Sequence, residues 1–177
     1  LFLNIKSGSL DLSMFVIWLT GLSGSGKTTI AQGLSDHYKI NNIKHEVLDG
    51  DLYRAVLSPN EGYSKKERDE FRYKVIFIAE ILLRNQIICI IPLLSSTRKI
   101  RDEARKRFHN FIEIYVKCPI EVCEHRDPKG HYKKVRQGKL KNFVGIDIDY
   151  EEPLNPEIII ESNKVSIDDA VKKIVNF

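Results

Sequence analysis

Residues 15–30 constrain the fold more than any other part of the chain. They read FVIWLTGLSGSGKTTI, an apolar run followed by the pattern G-x-x-x-x-G-K-S/T over residues 21–28. The apolar run does not alternate with polar residues, which is typical of a strand buried on both faces of a parallel sheet. The apolar positions Ile30, Leu34 and Tyr38 then predict a helix. A strand, a glycine-rich turn and a helix in this order predict a phosphate-binding loop.

The residue types in this loop predict how it holds a nucleotide. Its glycines let successive backbone N–H groups point at phosphate oxygens, and the helix N-terminus adds partial positive charge. Lys27 is expected to reach the β- and γ-phosphates, and the Thr28 hydroxyl to bind Mg²⁺. The residues predicted to bind the nucleotide here are Gly21, Ser23, Gly24, Ser25, Gly26, Lys27, Thr28 and Thr29.

Length and composition indicate one globular domain over residues 14–177. The chain has 177 residues, of which 42% are hydrophobic, and a net charge of +4, which suits an anionic small molecule. No apolar run reaches membrane-spanning length. The three cysteines lack the spacing of a redox or metal site, which favours a cytoplasmic protein. Residues 1–13 precede Met14 and are predicted to be a non-native extension or a loose arm, not a signal peptide.

Strand and helix patterns alternate along the chain, which predicts a parallel α/β sheet. Strands are expected at 15–19, 45–48, 87–91, 111–116 and 157–161. Helices are expected at 27–39, 52–57, 65–85, 97–108 and after Ser166, with a capping box at Ser64 and Glu67. The exception is a lysine-rich stretch over residues 127–153, named the basic segment below. We expect it to be a lid that excludes water from a reacting phosphate.

Two acids follow the second predicted strand, in the sequence Asp49-Gly50-Asp51. Carboxylates at the carboxyl end of a strand beside a phosphate-binding loop can hold Mg²⁺ or accept a proton from a hydroxyl. Arg54 follows close by and is suited to an anionic acceptor. The chain lacks the N-K-x-D pattern of a GTPase and the Asp-Glu strand end of a motor ATPase, so a kinase is favoured. A turn without catalytic function is the alternative.

Two other classes of protein stay open on the residues alone. The first is a nucleotide-binding module without turnover, against which the intact loop and Asp49 argue. The second is a nucleic-acid-binding protein that uses the basic stretches 98–107 and 129–141. Apolar positions at Ile100 and Ala104 make the first stretch an amphipathic surface helix. We therefore predict a small-molecule partner, with neither nucleic acid nor membrane.

Several motifs beyond the loop together resemble one family. The segments GLSGSGKTT, LDGD-x-x-R, GYS-x-x-x-R, CEHRDPKG-x-YKK and FVGID-x-x-YEEP resemble adenylylsulfate (APS) kinases, almost without gaps from residue 15 to about 156. The resemblance implies a P-loop nucleotide-kinase fold, a five-stranded parallel sheet with helices on both faces and a basic lid. It implies transfer of the ATP γ-phosphate, with Mg²⁺, to the ribose 3′-hydroxyl of a nucleotide bearing a 5′ anhydride. It also implies a homodimer.

The resemblance implies roles for individual residues at the nucleotide. Lys27, Asp49 and Ser95 are the catalytic candidates, Ser95 because the family marks a phosphoserine at its position. Thr28 and Asp49 would bind the metal, and Arg126 would stack on the adenine of ATP.

On the acceptor side, the resemblance implies that Arg54 holds the 5′ group and that Phe143 stacks on the base. Lys129, Lys133 and Lys134 match lysines of the family's lid. The full set of predicted acceptor-binding residues is Asp51, Arg54, Phe71, Tyr73, Lys74, Leu93, Lys129, His131, Lys133, Phe143 and Ile146.

The departures from the family are concentrated on the acceptor side. The family pattern E-N-I-R-R is replaced by EFRYK over residues 70–74, and F-I-S-P by LLSS over residues 93–96. Replacing phenylalanine by Leu93 removes a stacking face worth about 1–3 kcal/mol. Replacing an arginine by Tyr73 removes a bidentate donor. These changes suit a smaller base and a less charged 5′ group, and in this the chain resembles the cytidine diphosphoramidate kinase branch of the family. That resemblance implies cytidine diphosphoramidate, used in capsular polysaccharide decoration, as the acceptor; the alternative is adenylyl sulfate, phosphorylated in sulfate assimilation.

Overall fold

Five parallel strands form one sheet in the order β2-β3-β1-β4-β5. The computed structural model describes residues 14–60, 62 and 64–177, so the predicted extension over residues 1–13 lies outside the described part. The strands are β1 (Val16–Thr20), β2 (His45–Val47), β3 (Ile88–Pro92), β4 (Phe111–Lys117) and β5 (Ile158–Glu161). The helices are α1 (Lys27–Ile40), α2 (Gly50–Leu57), α3 (Lys65–Arg84), α4 (Arg98–Arg107), α5 (Ile120–Arg126), α6 (His131–Arg136) and α7 (Ile167–Val175).

Both faces of the sheet are covered, as the unbroken apolar run in β1 predicts. Ile17 and Leu19 pack with α1 and α7 on one face, while Val16 and Trp18 pack with α3 and α4 on the other. Alternate residues of a strand point to opposite faces, so every residue of β1 is buried. The predicted five-stranded parallel α/β fold is confirmed.

Three of the helices, α2, α3 and α7, begin where polar side chains cap them. The predicted capping box is present, with the Ser64 hydroxyl accepting from the Glu67 N–H and the Glu67 carboxylate accepting from the Ser64 N–H. Ser166 caps α7 through its hydroxyl alone, which accepts from the Asp169 N–H. Helix α2 begins two residues before its predicted start, because the Asp49 carboxylate accepts from the N–H groups of Asp51 and Leu52.

The prediction of an irregular basic segment is wrong for part of its length, since α6 lies within it and α5 directly precedes it. The Asp127 carboxylate joins the two short helices by accepting from the N–H groups of Tyr132 and Lys133, at 3.2 and 3.0 Å. Tyr132 packs with Cys118 and Cys123 in a small apolar cluster, named the third cluster below. This cluster forms only in the folded chain, so no local sequence pattern predicts the two helices.

The far end of the basic segment is fixed to the sheet by a buried arginine. The Arg101 guanidinium donates to the carbonyl oxygens of Ser95 and Glu151 and pairs with the Glu113 carboxylate at 2.8 Å. The Tyr150 hydroxyl lies 2.8 Å from the Thr20 hydroxyl at the end of β1. Among the described residues, no helix combines the length and apolarity needed to cross a membrane.

Candidate active site

The phosphate-binding loop connects β1 to α1 and surrounds the side chain of Lys27. The Lys27 ammonium donates to the carbonyl oxygens of Gly21 and Leu22, at 3.0 and 2.7 Å. Gly24 has a φ of 74°, and a Cβ there would lie 2.7 Å from the carbonyl oxygen of Cys123. Only glycine fits both the backbone conformation and the space, so the loop packs directly against α5.

Burial changes the electrostatics of Lys27. Desolvation lowers the pKa of its ammonium to about 8, with Asp49 among the groups that oppose the shift. A desolvated ammonium gains more from an anionic ligand than an exposed one does. This lysine is therefore suited to bind phosphate oxygens.

Thr28 and Asp49 are the residues that could hold a magnesium ion. The Thr28 hydroxyl donates to Oδ2 of Asp49 at 3.2 Å, while Oδ1 accepts from the N–H groups that begin α2. The described residues contain no group of three or more His, Cys, Asp and Glu side chains that could hold a metal. A hydroxyl and a carboxylate fit Mg²⁺, which keeps several waters and takes its remaining ligands from nucleotide phosphates.

One cavity of about 960 Å³ joins the loop to the residues predicted to bind the acceptor. The predicted site residues that line it are Ser23, Gly24, Gly26, Lys27, Thr28, Thr29, Asp49, Asp51, Arg54, Phe71, Leu93, Arg126, Lys129, His131 and Phe143. Its nucleotide end lies at the loop, and its acceptor end lies against α2 and α3. The sequence thus predicted somewhat less than half of the residues that line the cavity.

The nucleotide end has further wall residues that sequence reasoning missed, and three of them lie close together in the chain. Ser162, Val165 and Ile167 lie in and after the turn that follows β5. The Arg126 guanidinium donates to the Ser162 carbonyl oxygen at 3.0 Å, which fixes it beside this turn. No motif or periodicity marks the three residues. Together with Arg126 they form a wall with apolar and cationic surfaces, of the kind that binds a nucleobase.

The acceptor end carries three arginines, two of which were not predicted. Arg68 and Arg72 are almost fully buried, and both line the cavity together with Arg54. Arg72 donates to the carbonyl oxygen of Leu94 at 2.8 Å and pairs with Asp69. Burial lowers the pKa of Arg72 to about 10, so it stays charged at neutral pH.

A sequence signal for the two missed arginines existed. Arg68 is the arginine of GYS-x-x-x-R, and Arg72 follows four residues later on the same face of α3. The Arg54 guanidinium lies 5.2 Å from the centroid of the Phe71 ring, which holds it in the cavity wall. The acceptor end is therefore more cationic than the departures from the family predicted.

The basic segment crosses the mouth of the cavity and contacts both α2 and α3. The Lys129 ammonium pairs with the Asp51 carboxylate of α2. The Arg68 guanidinium donates to the Asn142 carbonyl oxygen at 3.0 Å. Next to it, the Phe143 ring lies edge-on to that of Tyr132, with centroids 4.8 Å apart.

The predictions for Tyr73 and Lys74 need correction, because neither residue lines the cavity. Each residue of an α-helix is rotated by about 100° from the one before, and this rotation turns both side chains away from the site. The Tyr73 hydroxyl donates to the Glu103 carboxylate of α4. The Lys74 ammonium donates to Leu57 and Ser58 at the end of α2, both at 3.0 Å.

Ser95 is also misplaced as a catalytic candidate. It is fully buried, accepts from the Trp18 indole N–H at 3.2 Å and donates to the Leu93 carbonyl oxygen at 3.3 Å. A hydroxyl enclosed in this way cannot reach a phosphate in the cavity. Its bonds instead fix the end of β3 against β1.

Four further predicted residues support the site without lining the cavity. Gly21 and Ser25 belong to the loop but do not face the cavity, and Ser25 is fully buried. Ile146 packs beside the third cluster, and Lys133 donates through its backbone N–H to the Asp127 carboxylate. Their contribution is to the shape of the loop and of the basic segment.

The fold and the site define a P-loop phosphotransferase, and comparison with known proteins names its family. The sequence model of the family described as adenylylsulphate kinase matches residues 13–161. The adenylyl-sulfate kinase of Rippkaea orientalis is 46% identical over 158 residues, which cover 89% of this chain and 87% of the relative. The chain belongs to the adenylylsulphate kinase family, as its motifs predicted.

Solved structures of the family agree with the fold. The APS kinase of Mycobacterium tuberculosis in complex with AMPPNP and APS is 33% identical, with a TM-score of 0.88 over 92% of this chain and 96% of that chain. The hexameric APS kinase of Thiobacillus denitrificans is 28% identical, with a TM-score of 0.67 over 92% of this chain and 28% of that chain.

Family membership settles the reaction class. The chain is a phosphotransferase that acts on a hydroxyl group of a nucleotide, as predicted. The Mycobacterium tuberculosis relative was solved in complex with AMPPNP, which agrees with the predicted ATP cofactor. Mg²⁺ accompanies ATP in kinases of this kind.

Proposed function

We propose that the chain transfers the γ-phosphate of ATP to the ribose 3′-hydroxyl of adenylyl sulfate. The observation that carries this proposal is the convergence of Arg54, Arg68 and Arg72 on the acceptor end of the cavity. Three guanidinium groups favour an acceptor whose 5′ end bears several negative charges. The relatives described above are adenylyl-sulfate kinases, which supports the same acceptor.

The proposed chemistry is an in-line transfer. The acceptor 3′-oxygen forms a bond to the γ-phosphorus, and the bond from that phosphorus to the β,γ-bridging oxygen breaks, so ADP leaves. The carboxylate of Asp49 accepts the proton of the 3′-hydroxyl. Lys27 and the loop N–H groups stabilise the negative charge on the phosphate oxygens. A magnesium ion held by Thr28 and Asp49 would neutralise further charge there.

The remaining site residues position the two nucleotides. Arg126 and the turn after β5 hold the adenine of ATP. Phe143 stacks on the acceptor base, and Leu93 forms part of the opposite wall. The basic segment acts as a lid, closed by the ion pair of Lys129 with Asp51, and keeps water from the γ-phosphate. We propose residues 14–177 as one kinase domain on this basis.

Cytidine diphosphoramidate is the competing acceptor, and the leucine at position 93 favours it. A leucine offers no ring face to a purine, and a pyrimidine needs less of one. The replacement of an arginine by Tyr73 does not support this acceptor. Tyr73 lies outside the cavity, and the sequence reasoning had not counted Arg68 and Arg72 at the acceptor end.

The acceptor is tested by steady-state kinetics of the purified protein with Mg-ATP. We expect kcat/KM for adenylyl sulfate to exceed that for cytidine diphosphoramidate by at least about a hundredfold, since the relatives that support this acceptor are adenylyl-sulfate kinases. The 3′-phosphorylated product is identified by mass spectrometry. Preferential turnover of the cytidine compound would replace the proposed acceptor, and turnover of neither would reject both.

The role of Asp49 is tested by Asp49→Asn. Asparagine caps a helix about as well as aspartate, so α2 should keep its start. Loss of the proton acceptor should lower kcat by about a hundredfold or more, while the ATP KM changes little. An unchanged kcat would remove Asp49 from the mechanism.

We also propose that the protein is cytoplasmic and forms homodimers. Its three cysteines are free and buried, which is typical of proteins in a reducing compartment. A structurally similar chain belongs to a hexameric kinase, so association occurs among relatives.

A further inference from the structure

Tyr132 of α6 contacts a residue of the phosphate-binding loop and a residue of the basic segment, although it does not line the cavity itself. Its side chain is buried in the third cluster, and its hydroxyl donates to the carbonyl oxygen of Ser23 at 3.0 Å. Its ring lies edge-on to that of Phe143, with centroids 4.8 Å apart. Ser23 and Phe143 both line the cavity. One buried side chain therefore joins the loop that holds ATP to the ring expected to stack on the acceptor base.

The bond from Tyr132 fixes one peptide unit of the phosphate-binding loop. A planar trans peptide points its carbonyl oxygen and the following N–H group in opposite directions. Because Tyr132 lies outside the cavity wall and holds the Ser23 carbonyl oxygen, the Gly24 N–H of the same peptide is turned toward the cavity. Successive N–H groups of such a loop bind phosphate oxygens. The Tyr132 hydroxyl therefore helps to orient a donor toward the triphosphate.

A bound phosphate should strengthen the hydrogen bond of Tyr132 in return. An anion that accepts from the Gly24 N–H polarises the peptide, so the Ser23 carbonyl oxygen becomes a better acceptor for the hydroxyl. Burial raises the pKa of the Tyr132 hydroxyl well above its usual range, so it stays protonated and remains a donor at neutral pH. We therefore expect ATP to restrain the Tyr132 side chain.

Phe143, on the other side of Tyr132, belongs to a compact hydrogen-bonded turn. Its carbonyl oxygen accepts from the N–H groups of residues 146–148, at distances between 2.9 and 3.2 Å. Its own N–H donates to the Asp147 carboxylate at 3.1 Å. The edge-on contact with Tyr132 attaches this turn to the third cluster. A restraint on the Tyr132 ring is therefore also a restraint on the Phe143 ring and on the amides of the turn.

We propose that Tyr132 is a positioning residue that couples the binding of ATP to the binding of the acceptor. The proposal rests on the proposed function in one respect, the stacking of Phe143 on the acceptor base. When ATP is bound, the Phe143 ring is already held in place, so acceptor binding costs less conformational entropy and is tighter. The coupling is reciprocal, so the acceptor must tighten ATP binding by the same factor.

The first test measures amide hydrogen exchange in residues 143–148 with and without saturating Mg-AMPPNP, and it needs no acceptor. In the wild-type protein, AMPPNP should slow this exchange by about fivefold or more. In Tyr132→Phe, which removes only the hydroxyl, the slowing should fall to about twofold or less. Tyr150→Phe is the matched control, since it removes a hydroxyl of the basic segment that lies 2.8 Å from that of Thr20, and it should respond like the wild type. Exchange in the buried strand β1 checks that each variant is folded.

The second test titrates adenylyl sulfate into the free enzyme and into the enzyme saturated with Mg-AMPPNP. AMPPNP should lower the acceptor Kd by about fivefold or more in the wild type and in Tyr150→Phe, but by about twofold or less in Tyr132→Phe. The Kd of the free enzyme should be the same in all three within about twofold, because the hydroxyl acts only when ATP is bound.

Two results would overturn the proposal. One is a response to AMPPNP that is absent in the wild type or unchanged in Tyr132→Phe. The other is an equal loss of acceptor affinity with and without AMPPNP in Tyr132→Phe, as a merely structural role predicts. If the wild-type protein does not bind adenylyl sulfate, the proposed acceptor fails, and hydrogen exchange alone decides the role of Tyr132.

Discussion

The surroundings of Lys27 shift its pKa in a way that suits it to bind an anionic ligand. It is buried, its present partners are two uncharged carbonyl oxygens, and burial lowers its pKa to about 8. Without a bound ligand, Lys27 therefore loses this proton as the pH rises through about 8, where an ordinary lysine stays charged. A bound triphosphate compensates for the desolvation and holds the proton on the lysine.

ATP binding should therefore weaken as the pH rises above 8. In that range, binding must take up a proton at Lys27, so the Kd should rise by up to about tenfold per pH unit. Isothermal titration with Mg-ATP at several pH values measures this dependence. A Lys27→Met variant should bind more weakly and without this slope; a slope that persists in the variant would assign it to another group.

Arg72 and Tyr73 are adjacent in sequence, yet only the first lies in the cavity wall. Arg72→Met keeps the aliphatic packing and removes the charge, so the acceptor KM should rise by about 10- to 100-fold, as expected for a charge-assisted bond. The ATP KM should stay unchanged. Tyr73→Phe, which removes only the hydroxyl bonded to Glu103, is the matched control. Equal effects in the two variants would contradict the assigned orientation of α3.

Helix α3 shows how a local signal fixes the position of site residues. Its capping box sets where the helix starts, and Arg68 and Arg72 follow one and two turns later. The start of the helix therefore determines which residues face the cavity. The first turn of α3 therefore affects both the free energy of unfolding and the binding of the acceptor.

Removal of the α3 cap should affect both properties. Ser64→Ala should lower the free energy of unfolding by about 1 kcal/mol and also weaken acceptor binding, because the first turn frays. Ser166→Ala removes the equivalent cap of α7, whose hydroxyl lies 3.1 Å from the Asp169 N–H. This control should lose similar stability with little change in acceptor KM. Urea unfolding and steady-state kinetics measure the two effects.

The elements that the sequence predicted well are those with local signals. The buried strands and α3 were placed within one or two residues, because apolar runs and caps act over short distances. Helices α5 and α6 were missed because they depend on the third cluster, which Cys118 forms with residues distant in sequence.

The site residues that the sequence predicted well are likewise those with a local signal. The nucleotide end could be predicted because its chemistry lies in one contiguous motif. At the acceptor end, the helical phase of α3 decides which of residues 71–74 reach the cavity. A family pattern identifies those positions but does not give their orientation, so Arg72 was overlooked and Tyr73 was overvalued.

Across the molecule, a buried network centred on Arg101 joins α4 and the basic segment to the sheet. Arg101 and Glu113 are almost completely buried, and Arg105 adds a second pair from α4 to Glu113, at 3.2 Å. Arg101 also donates to the Glu151 carbonyl oxygen at the end of the basic segment. The same side chain therefore contributes to the core and to the placement of the lid.

Arg101→Met should destabilise the protein by about 3–5 kcal/mol, because Glu113 would keep a buried charge with one partner fewer. Lys99→Met is the control in the same helix, since its side chain is 83% exposed and lies 3.9 Å from Glu103. It should change stability by less than about 0.5 kcal/mol. Urea unfolding of both variants checks the difference; similar losses would show that the Arg101 network contributes little.

The consecutive residues Phe71, Arg72 and Tyr73 divide between the cavity wall and the side of α3 that contacts α4. Inserting or deleting one residue between Ser64 and Arg72 would rotate everything after it by about 100°. Such a change would turn Arg72 away from the acceptor and break the contact of Tyr73 with α4 in a single event. Substitutions, by contrast, alter one side at a time. We therefore expect lineages of this enzyme to diverge in the composition of α3 while its length stays constant.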